Sequence, residues 1–347
     1  MSSTDNYYIE ILNNIPIYLH KYFATFLYII GNIGNLLAIS IFFKRSWRKN
    51  VFYFLVCLFA NTIFINSTLL GSIFALGFNS TIQNSSVILC KLFYYVSYLT
   101  STYYPIILIL ASIDRLLISS QNIDTRLYSS KRMAYFSTSI ATFIWSTFAL
   151  HILIKVNIQE MYPGVFICYY DLSQFYLNFF TYTTVVQSVL IPFTLIILSA
   201  TAFKNVRRIQ AIPRQERRQL RSMNKKDFQL LRCLYIQNII YITCTIVLAV
   251  GIVYTTAIRY ETATPLQQAL NNFLNNFGSV LHDIPYCTNF ITFICVSKAF
   301  RLEVKRLIFK MVRKDLTTVR EEENNQQEAV KDNIEPNHAI STIDVNA

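Results

Sequence analysis

The residues of this chain best able to do chemistry are charges set in uncharged surroundings. Asp114-Arg115 closes the run Leu92–Ile113, which holds no acidic residue, Lys or Arg. Asp283, with His282 beside it, ends another such run that begins at Thr262. A charge taken out of water is costly unless it is paired, so each of these points to a partner or a task. Bond-making chemistry is not signalled. An enzyme of that kind gathers a nucleophile with its base, or a ligand set at short spacing. The four His (His20, His151, His282 and His338) are scattered at no ligand spacing. No metal, cofactor or enzymatic activity is expected.

These charges must be positioned by long apolar elements. The chain is 53% hydrophobic and 14% charged, against about 25% charged in a soluble domain. Charge-free gaps run from Tyr22 to Phe43, Asn50 to Cys90, Leu92 to Ile113, Met133 to Ile154, Leu172 to Phe203, Cys233 to Ile258, and Thr262 to His282. About 20 apolar residues cross a hydrocarbon core roughly 30 Å thick. The gap from Asn50 is interrupted by the polar stretch Asn79-Ser-Thr-Ile-Gln-Asn-Ser-Ser86, read as a loop. Seven spans are expected, at 20–44, 51–77, 87–119, 131–156, 177–208, 227–258 and 268–295. The last is the weakest, because Asn271, Asn272, Asn275 and Asn276 make its first half polar.

Charge then orients the chain. Lys and Arg collect in cytoplasmic loops beside membrane helices. With the amino terminus outside, 27 of the 31 Lys/Arg fall inside, leaving only Lys21, Lys91, Lys155 and Arg259 outside. Topology accounts for the net charge of +12, so no nucleic-acid partner is needed and the partner is the lipid bilayer. Residues 1–19 contain Asp5 and Glu10 and no basic region before an apolar core, so the first span is expected to serve as its own insertion signal. From about Leu316 the tail is polar, carries Glu321-Glu-Glu323 and is expected to be disordered. A transporter is the alternative class; it would show internal repeats and several buried charges, and here no repeat is found.

The residues within the spans resemble the rhodopsin-like family of G-protein-coupled receptors over about residues 20–312. The first span has Gly34-Asn35 and the second Leu58-Phe-Ala-Asn61, where the family usually ends in Asp. The third carries Cys90 at its outer end and, 25 residues on, the Arg of Asp114-Arg115-Leu116, similar to the family's Asp-Arg-Tyr. Trp145 and Pro192 stand where the family has both. Asn289-Phe-Ile-Thr-Phe293 resembles Asn-Pro-x-x-Tyr, and Phe300-Arg301 the start of the family's short helix along the inner membrane face. A weaker likeness of the sixth span is to invertebrate FMRFamide-like peptide receptors.

The resemblance implies an all-α membrane protein, a seven-transmembrane helix bundle followed by a short amphipathic helix. It sets an extracellular amino terminus at 1–19, the receptor domain at 20–295, the amphipathic helix at 296–312 and a cytoplasmic tail at 313–347. It implies heterotrimeric G proteins as partner, a plasma-membrane location, and a disulfide between Cys90 and Cys168; the other five Cys lie within or at the ends of apolar spans. Asn35, Asn61, Trp145 and Pro192 take helix-packing roles. Asp114, Arg115, Asp227, Asn289 and Phe293 form the activation switch, with an Arg115–Asp227 contact holding the third and sixth helices together at rest. Alternatively Asp227 only offsets Lys225 and Lys226. Arg115 and Ile123 would contact the G protein, or Ile123 merely packs locally. Asn79 and Asn84 head sequons in an outer loop and are candidate glycosylation sites; Asn66-Ser-Thr lies within a span and should be inaccessible.

Departures from the family concern the switch. The sixth span has Thr243-Cys-Thr-Ile-Val247 in place of Cys-Trp-x-Pro, so Pro105 and Pro285 become the candidate kinks. With Asn61 and Tyr104, the family's buried sodium site is expected to be lost. Ser97 stands where amine receptors carry Asp, which argues against a monoamine. His282 and Asp283 are candidate ligand contacts, Asp283 for a ligand cation or else for an internal hydrogen bond. Met161-Tyr-Pro-Gly164 and Cys168-Tyr-Tyr-Asp171 suggest a hairpin lid in the second outer loop. The expected ligand is an extracellular peptide; a small chemosensory molecule is the alternative.

Overall fold

The computed structural model describes residues 3–44, 47, 51–120, 128–162, 164–211, 225–257 and 264–310. Nearly all of them are helical. Ser3–Tyr18, the π-helical turn Leu19–Ala24 and Thr25–Phe42 run on as one helix, α1. Helix α2 combines Phe52–Phe64 with further α- and π-helical turns ending at Gly77. Then follow α3 (Val87–Ile118), α4 (Lys131–Lys155), the antiparallel strands β1 (Val156–Tyr162) and β2 (Val165–Tyr170), α5 (Gln174–Ala211), α6 (Lys225–Ala257), α7 (Pro265–Cys287) and α8 (Asn289–Val296). Caps set several of the starts. Ser86 and Ser130 accept the backbone N–H of Leu89 and Met133, and Thr264 does the same for Gln267, with Pro265 in the first turn.

Among the described residues, six helices are long and apolar enough to cross a bilayer: Asp5–Phe42, Phe52–Gly77, Val87–Ile118, Lys131–Lys155, Gln174–Asn205 and Lys226–Thr255. The seventh expected span falls on α7 and α8, and its polar outer half keeps it below that threshold. The expected helical bundle is what forms, with one β-hairpin in the second outer loop, where its turn and aromatic residues suggested one.

The first helix is longer than the expected 20–44 span. At 1.5 Å per residue, the 38 residues of Asp5–Phe42 reach about 57 Å, well beyond a hydrocarbon core of about 30 Å. A Cβ on Gly31 would meet Cys287, and one on Gly34 would meet Phe290, so α1 and the seventh segment run in parallel with matched spacing. Pro265 is thus about level with Ile9. A Cβ on Gly77 would meet the backbone of Lys21, which puts the outer end of α2 beside that residue. Ser3–Tyr18 packs on α7 beyond it. The asparagines that weakened the seventh span therefore sit in this outward extension, where a polar helix face needs no lipid-compatible side chains.

Residues 1–298 form one compact unit, and a second begins at Ala299. The second is helical to residue 310, with Leu302, Ile308 and Phe309 exposed beside Arg301 and Lys305, and with Arg306 paired to Glu303 at 2.9 Å. Ile123, the third-loop residues Arg214, Arg217, Arg218 and Arg221, and the tail from 311 lie outside the described residues.

Candidate functional site

Between the outer halves of the helices lies a cavity of about 630 Å³. Helix α3 lines it with Ser97, Ser101 and Thr102, α5 with Thr184, Gln187 and Ser188, and α6 with Tyr241 and Thr245. Helix α7 supplies Asn275, Ser279, His282 and Asp283, and β2 supplies Tyr169 and Tyr170. Among the described lining residues Asp283 is the one acidic, Lys or Arg side chain. It is 6% exposed. No hydrogen bond joins it to a Tyr or Asn neighbour, so the internal-bond alternative is not realised among the described residues. Ser97 also lines the cavity, its buried Oγ lacking a hydrogen-bond partner.

The second outer loop is pinned beside this cavity. Cys168 on β2 is disulfide-bonded to Cys90 near the start of α3. Its backbone N–H donates to Asn84 Oδ1 at 3.0 Å and its carbonyl accepts from Tyr94 Oη at 3.2 Å. Tyr170 packs on Tyr94 and Phe180. Outside the bundle, Lys155 Nζ donates to Asp171 at 2.9 Å and holds its carboxyl below the ordinary value, helped by the Ser173 N–H. A depressed carboxyl pKa means this latch is intact at neutral pH and weakens only as pH falls through that lowered value. Lys155 is exposed and Asp171 half-buried at the surface, so its worth is small.

An aromatic layer that includes Phe64 and Tyr241 bounds the cavity. Tyr286 stacks on Phe64 with centroids 3.9 Å apart. Tyr104 packs on both Tyr286 and Tyr241. Tyr286 Oη donates to the Ser101 carbonyl at 3.0 Å. Tyr104 is fully buried and occupies the middle of the bundle.

Below that layer the helices are joined by polar contacts centred on α6. Pro285 has no N–H to donate, and the helix breaks three residues later at Thr288, between α7 and α8. Asn289 Nδ2 donates to the carbonyls of Pro285 and Tyr286, and Asn35 Nδ2 reaches the latter at 3.3 Å. Backbone acceptors freed by the break are thereby satisfied, as a hydrocarbon setting requires. Asn289 Oδ1 in turn accepts from Gln237 at 2.8 Å. The neighbouring Asn238 donates to Ser112 on α3 and Ser199 on α5, at 3.1 and 2.9 Å. Ser297 Oγ donates to Gln229 at 2.9 Å.

At the inner end Arg115, 4% exposed, lies 3.0 Å from Asp114 Oδ2 and 3.3 Å from Asp227 Oδ1. Asp114 also accepts from Ser129 at 2.6 Å. Lys226 lies over the Trp47 ring at 5.0 Å. Asn61 is fully buried, and neither amide atom has a hydrogen-bond partner. Phe293 fills the space between Phe42 and Phe54. Trp145 packs on Phe148 within α4, and Pro192 is buried inside an unbroken α5. Pro105 likewise lies inside the continuous α3.

Of the outer asparagines, Asn79 is exposed with φ 52°, a left-handed conformation that Asn tolerates. Asn84 instead spends its Oδ1 on Cys168. Asn66 bonds Asn32 and Thr62 through Nδ2.

The reading from sequence gave no site role to Gln237, Asn238, Tyr241, Tyr286, Asn275 or Ser279. Adjacent amides inside an apolar span, three turns from Asp227, are the signal that points to the first two.

Residues 34–291 match the family model described as 7 transmembrane receptor (rhodopsin family). No curated protein matches the chain.

Proposed function

The chain belongs to the rhodopsin family of seven-transmembrane receptors, and from that premise we propose that it carries an extracellular peptide signal across the plasma membrane to heterotrimeric G proteins. It is a multi-pass membrane receptor and not an enzyme. In the proposed orientation the first 19 residues are outside, 20–295 form the receptor domain, and 296–312 lie along the inner face ahead of a cytoplasmic tail. The location of 27 of the 31 Lys/Arg in the loops and tail on one side supports it. Asn79 is the better-supported glycan acceptor, since it is exposed and Asn84 is half-buried.

The observation that carries the ligand reading is Asp283. A buried carboxylate without a partner, in a cavity whose described lining offers no cation, attracts one from the ligand. Asp at the centre of a membrane helix costs about 3 kcal/mol, which pairing with a bound cation offsets. The peptide preference comes from the volume of the cavity and the disulfide-pinned hairpin beside it.

The route inward follows α7. Three residues beyond Asp283, Tyr286 heads the aromatic layer; three further on, Asn289 holds Gln237 of α6. Helix α6 ends at Asp227 on Arg115. A ligand that shifts α7 thus bears on the contacts keeping α6 against α3, a two-state element that ligand and G protein both bias. Arg115 and Ile123 are proposed to meet the G protein once α6 has moved.

The test is Asp283→Asn in cells reporting G-protein activation. For an agonist peptide bearing Arg or Lys, potency is expected to fall at least tenfold with surface amount unchanged. Equal potency at the variant, or full activation by uncharged small molecules that it does not affect, would sink the reading.

A further inference from the structure

Gln268, Asn272, Asn275 and Ser279 recur at three- or four-residue spacing along α7, and all four are exposed. The row ends one turn further in, at Asp283. Its inner members, Asn275, Ser279 and Asp283, line the cavity. Leu270 and Phe277, also exposed, take a different side of the helix, and Ser3–Tyr18 packs against it as well. The row is therefore the cavity's outward continuation, a strip of amides and a hydroxyl rising beyond the outer end of α2. Fifteen residues of helix separate Gln268 from Asp283, about 22 Å. Neither Asn275 nor Ser279 has a side-chain hydrogen-bond partner within the protein among the described residues, and nor does Asp283.

The geometry points to an extended peptide of about seven residues, lying along this row with a cationic terminus or side chain against Asp283. This rests on the peptide reading above and adds length, direction and anchoring. An extended chain advances about 3.3 Å per residue, so about seven residues cover 22 Å. Side-chain amides both donate and accept, and so match the alternating N–H and C=O groups of a backbone whatever its side chains; Asn272, whose Oδ1 accepts from Asn276 at 2.9 Å, takes part as a donor. Charge complementarity sets the direction, because Asp283 is the charged group at the inner end. A small amine would use Asp283 alone and leave the row without a role.

The experiment uses the full-length receptor in cells with a broadly coupling G-protein reporter. The probes are random peptide mixtures of three, five, seven and nine residues, each with Arg fixed at one end or the other. Potency is expected to rise up to about seven residues and then level off, with one placement of Arg preferred. Asn272→Leu and Asn275→Leu are expected to weaken seven-residue mixtures at least fivefold, and Asn272→Leu, outside the cavity lining, to leave three-residue mixtures unchanged, while Asn275→Gln, which keeps the amide, restores the response. Surface biotinylation excludes loss of folding as the cause.

Equal potency at every length, or insensitivity of long peptides to both Leu variants, overturns the row as a peptide track while the peptide reading survives. Silence of every mixture also overturns it. Raised basal signalling in Asp227→Ala would then still show a coupling receptor, separating failure of this inference from failure of the receptor reading.

Discussion

Arg115 meets two carboxylates, Asp114 one residue before it on α3 and Asp227 from α6, within a setting where all three side chains are largely buried. The contact with Asp114 survives any movement between helices; the contact with Asp227 does not. Only the second can distinguish a resting from an active state. Asp227→Ala is expected to raise basal G-protein signalling. A loss of about 1.4 kcal/mol from the resting state enlarges the active fraction about tenfold. Basal signalling equal to wild type at matched surface amounts would remove Asp227 from the switch. Asp114→Asn offers the contrast, since its partner Ser129 and its place on α3 make it a local support for Arg115.

Helix α6 has neither the Pro that would kink it nor the Trp that would transmit a push, yet it is held at three depths by side-chain contacts. Tyr241 meets Tyr104, Gln237 and Asn238 tie α6 to α8, α3 and α5, and Asp227 meets Arg115. Side-chain hydrogen bonds between membrane helices are worth about 0.6 kcal/mol each on average, so the two bonds of Asn238 together contribute about 1.2 kcal/mol. Asn238→Leu, similar in volume and unable to bond, is expected to raise basal signalling several-fold and to lower thermal stability in detergent. Gln237→Leu is expected to act in the same direction through Asn289. If neither variant moves basal activity or melting temperature, the amides are packing groups and the path from α7 to α6 lies elsewhere.

At the scale of the molecule, the hairpin and α3 are joined across 78 residues of sequence by one disulfide, which places β2 at the cavity. Cys168→Ser is expected to reduce both surface amount and agonist potency at least tenfold, and Cys90→Ser to match it. Cys244→Ala, which breaks no bridge, serves as the neutral control. Normal potency in Cys168→Ser would mean that β-hairpin pairing and the bonds to Asn84 and Tyr94 hold the loop without covalent help.

The linear sequence was sufficient for the architecture. Hydrocarbon imposes a length and a polarity on every crossing, and those leave marks readable one residue at a time: charge-free runs, a cationic bias on one side, Cys90 and Arg115 at the two ends of one span. Arg115 and Asp227 could be named because the spans resemble a receptor family whose motifs put a charge at each of those positions. Which amides and tyrosines of the interior meet was decided by the tertiary structure alone. Gln237 with Asn289, Asn238 with Ser112 and Ser199, and Tyr104 with Tyr286 are 39 to 182 residues apart, and any buried Asn or Tyr looks alike in sequence. The outward reach of α1 and α7 was hidden for a related reason. The polar first half of α7 reads as a poor membrane span until Ser3–Tyr18 is seen packed against it beyond the end of α2. Burial is a property of neighbours, and neighbours far apart in the chain are assigned only by folding.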